Sequence, residues 1–300
     1  MRYTAYQLAI ESDLALPELL PASANQLAEL ADVQIRLAPV NPEGLPGGRQ
    51  LGPFLWTTSD SLWLEVPRLA RFLVQGGHSI LVDPAPGVDE DSIRVFLLGS
   101  ALGALLFQRG QLVLHGNAIR IGDACMVCVG HSGAGKSTLA AGFMQRGYQV
   151  LADDVVPVDK QCRALPGFPR IKLWQDVADK LQIDTSGLRR IRPHTEKFNL
   201  PLGQQFAEQA LPIRWVYLLG SDNVESINFE RIKGMERFLP LHNNTYRVSF
   251  LQGMALKAEH LQLCGQLAGR IRLARVTRPK AGFGLDALID HLLADMAAHP

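Results

Sequence analysis

What this 300-residue chain has little of narrows its function first. Cysteine is scarce, with four residues at Cys125, Cys128, Cys162 and Cys264. Cys125 and Cys128 have C-x-x-C spacing, but they lie in the apolar run ACMVCVG, where a strand turns positions three apart to opposite faces. With no second pair to complete a zinc set, reduced structural thiols are expected. A secretory leader is lacking: the opening MRYTAYQLAIESDLAL is broken by Gln7, Glu11 and Asp13, so a cytoplasmic location is expected. Long apolar runs are missing too. The longest, VFLLGSALGALLF at Val95 to Phe107, falls short of the roughly 20 residues that cross a bilayer and contains Gly99 and Gly103. It reads as a buried helix, and no membrane partner is expected. Nor does one sign of charge dominate. Thirty basic against 29 acidic residues leave a net charge of +1, which gives no basic field for nucleic acid.

What is present is a folded composition, 47% hydrophobic and 20% charged. Residues 1–85 alternate short β-like runs, among them ADVQIRLAPV, SLWLEVP and HSILVDP, with turn-rich stretches such as NPEGLPGGRQ. This predicts a β-rich, mainly antiparallel N-terminal region, whose aromatics Phe54, Trp56 and Trp63 are expected on the core or the sheet face. Asp89, Glu90 and Asp91 then mark a helix start, because negative charge suits the positive end of the helix dipole. That helix is expected to end near Gly110. From residue 86 to 300 strands and helices alternate, which predicts an α/β domain and an α+β chain overall. QLVLHGNAIRI, DACMVCVG, YQVLADDVVPVD and RWVYLLG read as strands, STLAAGFMQRG as a helix, and YRVSFLQGMALKAEHLQLCGQLAGRI as one or two helices. GLDALIDHLLADMAA forms a C-terminal helix with apolar residues at helical spacing.

One loop carries recognisable chemistry. Gly130, His131, Ser132, Gly133, Ala134, Gly135, Lys136 and Ser137 fit G-x-x-x-x-G-K-[ST] at every fixed position, between an apolar strand and a run of helix formers. Glycines allow the tight path that turns successive amides towards phosphate oxygens, and the following helix adds its dipole. Lys136 would bridge the β- and γ-phosphates and Ser137 would offer its hydroxyl to Mg²⁺, with Thr138 packed behind. The expected ligands are therefore ATP and Mg²⁺. Asp153 and Asp154 end the next strand. Two adjacent carboxylates can divide metal binding and proton acceptance between them, or they can simply begin a turn. His115 closes the strand VLH just upstream, where a lone histidine can equally be a structural residue.

The succession LHGNAI, GHSGAGKST and RGYQVLADD resembles the catalytic domain of the HPr kinase/phosphorylase family, over residues 111–158. The resemblance implies a P-loop kinase in which Asp153 is the base on a substrate serine, Asp154 helps hold the metal and His115 stands beside the phosphates. Downstream of Asp154 the family's segment associated with dephosphorylation is replaced by ALPGFPRIKLW, which implies a kinase without phosphorylase activity. That run looks like the HPr-kinase-like proteins of peptide-biosynthesis, lasso-type gene neighbourhoods, which implies a peptide or protein acceptor and, from the family's habit, a homo-oligomer. The resemblance also implies a basic residue that approaches nucleotide or acceptor, a role that falls on Lys197. Arg170, Lys172, Arg189, Arg190 and Arg192 either face phosphate or form a solvated basic face. Two other functions fit the same residues: a kinase of a small-molecule hydroxyl, and a non-catalytic module that answers to nucleotide.

Overall fold

The computed structural model describes residues 1–23 and 30–299. They form two compact units: residues 1–113 with 191–195 and 246–263, and residues 114–190 with 196–245 and the chain from Cys264. The first unit extends past the expected boundary at 85/86, because the helix that follows residue 85 packs on a strand of its sheet.

That first unit is built on a mixed sheet. Its strands are β1 (Arg2–Ala5), β2 (Leu8–Ser12), β3 (Leu20–Pro21), β4 (Val33–Leu37), β5 (Arg49–Gly52), β6 (Leu55–Thr57), β7 (Ser61–Val66), β8 (Ala70–Gln75) and β9 (Ser79–Pro84). They lie in the order β3-β1-β2-β4-β9-β8-β7-β6-β5. Pairing is antiparallel as expected, except where β4 runs parallel to both β2 and β9. Strand β8 shows the alternation that a sheet with one buried face demands, with Ala70, Phe72 and Val74 inside. Of the three N-terminal aromatics, Trp63 is buried and donates its indole N–H to the Asn41 carbonyl, whereas Phe54 is exposed.

Helix α1 begins where the acidic run predicts, with Asp89 accepting from the Ser92 N–H at 2.7 Å. It runs through Glu90–Phe96, a π turn at Leu97–Ala101 and Leu102–Gln108. Arg94 is buried within it and ion-pairs with Glu18 at 3.0 Å, Glu90 at 3.3 Å and Asp91. Multiple partners offset the cost of desolvating one guanidinium. No helix of the described residues is long and apolar enough to cross a membrane.

In the second unit the sheet that matters contains β11 (Gly116–Ile121), β12 (Ala124–Val129), β13 (Val150–Asp153), β18 (Leu211–Asp222), β19 (Asn228–Ile232) and β20 (Arg272–Pro279). Between them in the chain lie β14 (Val156–Val158), β15 (Arg163–Ala164) and the two strands of a separate ribbon, β16 (Arg170–Trp174) and β17 (Lys197–Pro201); β10 (Leu112–Leu114) precedes the set. Neighbours run β13-β11-β12-β18-β20-β19, with β18 parallel to both β12 and β20 and with β11 antiparallel to β12 and β13. Strand β12 is buried along its whole length, as a central strand covered on both faces should be. Helix α2 (Lys136–Gln145) packs against β11, β13, β16 and the C-terminal helix α3 (Leu285–Ala298). Arg146, just past α2, clamps α3 through Asp286 and Asp290 at 2.8 and 2.5 Å.

A consequence of the parallel pairing is that the carboxyl ends of β12, β13, β18 and β20, and the start of β11, share one edge. Open α/β sheets place ligands at that edge. Gly116 is needed there for a steric reason, since a Cβ at this position would run into the Cys128 carbonyl oxygen, a backbone atom that cannot swing away. Gly116→Ala should lower stability by about 1–3 kcal/mol. Gly265→Ala, in a helix where an added Cβ meets nothing within 4 Å, should leave stability unchanged or raise it by up to about 1 kcal/mol. Thermal midpoints of the two variants against the wild type test the contrast.

Candidate functional site

The loop Gly130–Ser137 leaves the end of β12 and enters α2. Its path is possible because Gly133 and Gly135 take φ of 84° and 98°, and Gly130 passes so close to the Leu219 carbonyl that a Cβ would stand 2.5 Å from it. Gly135 is the residue at the helix start, so the α2 amides are uncovered by any side-chain cap. Lys136 is buried and donates its ammonium to the carbonyls of Gly130 and His131 at 2.8 and 3.0 Å. Burial pushes its pKa down. Behind it, the buried Asn117 side chain donates to the Lys136 carbonyl and fastens the helix start to β11.

Asp153 stands at the end of β13, opposite Asn117. Its carboxylate accepts from the Ser137 hydroxyl at 3.0 Å and from the Lys172 backbone N–H at 2.9 Å. Burial, outweighing the Lys172 N–H and joined by the neighbouring Asp154 charge, pushes its pKa up. Asp154 adopts φ of 78°, a left-handed conformation that a short polar residue tolerates and that clusters at functional sites. Its carboxylate accepts from the Lys172 ammonium at 2.8 Å. Burial works against its ionisation, but Lys172, with His115 and Lys197, outweighs burial and pulls the pKa down to about 2. His115 holds its Nδ1 3.0 Å from the Asp154 carbonyl, which can only accept, so Nδ1 carries the proton. Burial first, then the Lys136 charge, pushes the imidazole pKa down, which keeps the ring neutral at pH 7.

These groups line one cleft of about 310 Å³ with Ser132, Trp174 and Lys197. Trp174 and Lys197 face each other across the β16–β17 ribbon, the ammonium 5.3 Å from the indole ring. Burial and the nearby Lys172 charge push the Lys197 pKa down. Among the described residues it makes no ion pair with a carboxylate.

So the structure brings together His115, Ser132, Lys136, Ser137, Thr138, Asp153, Asp154 and Lys197. His131 contributes its backbone carbonyl and Ala134 is buried beneath the loop. Arg170 is not at the cleft wall: it bonds Asn199 and lies over the Phe168 ring at 5.5 Å. Arg192 belongs to the first unit, where it stacks over Phe96 at 4.9 Å. The sequence places Lys172 among five basic residues that either face phosphate or form a solvated face, and does not show that this one residue holds both carboxylates, through its N–H and its ammonium. Nor does it single out Asn117 or the strand β20. The alternation RLARV was the available signal for β20.

No family model matches the chain, and no curated protein matches it. Among solved structures the chain is similar to the HPr(Ser) kinase/phosphatase from Coxiella burnetii, at 14% identity over 62% of this chain and 90% of that one. The TM-score is 0.30, too low to equate the two folds, so what the site can do rests on its own residues.

The Lys172–Asp154 pair has a testable pH signature. Asp154 has a folded pKa below its unfolded value, so its contribution to stability is complete above pH 4 or so and is lost as pH falls through about 2. Lys172→Met should therefore destabilise by about 1–3 kcal/mol at neutral pH, since it leaves a half-buried carboxylate without its cation. The gap between wild-type and variant thermal midpoints should narrow as pH falls from 6 to 3. A gap independent of pH would show that packing, not charge, is what Lys172 contributes.

Proposed function

We propose that the second unit is a Mg²⁺- and ATP-dependent kinase that phosphorylates a hydroxyl group. The observation that carries this reading is the bond from Ser137 Oγ to Asp153 at 3.0 Å, made at the helix start of a glycine loop that also presents Lys136. A hydroxyl and a carboxylate so placed are the protein's share of a Mg²⁺ site in which phosphates and waters supply the rest. That donor set fits Mg²⁺ arriving with a nucleotide, and among the described residues no group of three or more His, Cys, Asp and Glu side chains could cage a metal alone. Bound there, Mg²⁺ would neutralise charge on the β- and γ-phosphates.

The other roles follow from position. The loop amides and the α2 dipole hold the phosphates. Lys136 exchanges its two carbonyl partners for phosphate oxygens. Asp154, ionised and held by Lys172, accepts a hydrogen bond from the acceptor hydroxyl and lines it up; a loose phosphoryl-transfer transition state asks more for position than for a strong base. This exchanges the roles that the family resemblance gave the two carboxylates. Although its pKa is the raised one, Asp153 faces Ser137, and a bound cation would restore its ionised form. Neutral His115 fixes the Asp154 backbone, and Lys197 meets the transferred charge. The acceptor is a serine of a peptide or protein, a reading supported by the sequence resemblance and by Trp174, half-exposed at the rim of the cleft.

Labelled ATP, Mg²⁺ and a panel of hydroxyl-bearing peptides and metabolites, with mass spectrometry of the product, test the reading. Lys136→Ala should lower transfer at least ~100-fold. Asp153→Asn should raise the Mg²⁺ needed for half-maximal rate about 10-fold, whereas Asp154→Asn should lower kcat with the Mg²⁺ requirement unchanged. The reverse pattern would return the base role to Asp153. Transfer to no hydroxyl in the panel would overturn the kinase reading.

A further inference from the structure

A second cleft, of about 280 Å³, opens on the other side of the glycine loop. Gly133, Gly135 and Thr138 border both clefts, but Lys136, Ser137 and the two aspartates border only the first. This asymmetry gives the loop a direction. The lysine and serine of such a loop serve the β- and γ-phosphates, so a bound triphosphate ends in the carboxylate cleft and its other end must leave across Gly135 and Thr138. We propose that the second cleft holds the nucleoside, with the base stacked on Phe283. The inference rests on the nucleotide-binding reading above and adds to it which residues choose the donor.

The cleft is built for a flat, partly apolar group. Its floor is Leu219, Leu285 and Leu288, all buried, so a ligand there meets apolar surface. Phe283 stands over that floor between Gly282 and Gly284, and 45% of it remains exposed in a place where an aromatic has no core to fill. Its ring carries the Lys180 ammonium at 5.8 Å. At the mouth, Lys180 and Lys280 have distant carboxylate partners, Asp176 at 3.5 Å and Asp222 at 3.7 Å. Arg278 donates to the Ala134 carbonyl at 3.4 Å, which joins the end of β20 to the loop and keeps the two halves of the site in register. The volume is at the small end of ligand pockets, which run from about 300 to 1,000 Å³, and suits a nucleoside whose phosphates lie outside it.

Inorganic tripolyphosphate separates this inference from the reading beneath it, because it offers the phosphates without the nucleoside. Calorimetry with Mg²⁺ on the full chain should show wild type binding ATP more tightly than tripolyphosphate. Phe283→Ala should weaken ATP about 10-fold, in line with the loss of one stacked base, and leave tripolyphosphate unchanged, while Phe283→Trp should restore ATP binding. If Phe283→Ala binds ATP as the wild type does, or weakens both ligands equally, the nucleoside assignment is overturned. Equal wild-type affinity for the two ligands would overturn it as well, with phosphate binding intact. A wild-type chain that binds neither would overturn the nucleotide reading itself.

Discussion

Two carboxylates on consecutive residues, both partly buried, form the constraint around which the second unit is arranged. Side by side they repel, and burial penalises each. The chain separates them by turning the backbone at Asp154 into a left-handed conformation, and it then supplies each with different partners. Asp153 is given two neutral donors, a hydroxyl and an N–H. Asp154 is given a full positive charge. Their pKa values move in opposite directions as a result, up for Asp153 and down for Asp154. Pairs of titratable groups pushed apart by environment are a mark of sites that do chemistry.

The β16–β17 ribbon makes sense in this light. Lys172 can serve both carboxylates only if its strand lies alongside the end of β13, and β16 packs against both β13 and α2. The ribbon then carries Trp174 and Lys197 to the same cleft, so one local arrangement supplies structural support and cleft wall together. Asn117 performs the matching task from below. By bonding the Lys136 carbonyl it links the strand opposite Asp153 to the first residue of the helix, and so fixes the distance between Ser137 and its carboxylate partner.

Local signals account for what was legible in the sequence. The glycine loop, the two aspartates, the Asp89 cap and the C-terminal helix all rest on short-range patterns, and each falls where its residues place it. What depended on long-range pairing was not legible. The parallel partner of β12 comes from residues 211–222 and the strand beyond it from residues 272–279, both far along the chain, and nothing near Gly130 announces them. Lys172 looked like one basic residue among several because its function is set by which strand end it reaches. Which later segments join the first unit was hidden for the same reason, since residues 246–263 return to it from more than a hundred residues away.

Charge in the carboxylate cleft favours the polyanionic ligand proposed for it. Lys136, Lys172 and Lys197 stand against Asp153 and Asp154, and the neutral His115 adds nothing to either side. Lys172 is committed to Asp154, which leaves Lys136 on two carbonyl oxygens and Lys197 over an indole ring. Carbonyls and ring faces are weak partners for an ammonium, and burial lowers the pKa of both lysines, a sign that neither charge is fully compensated by the protein. An anion with several oxygens, entering between the two, would supply what each lacks.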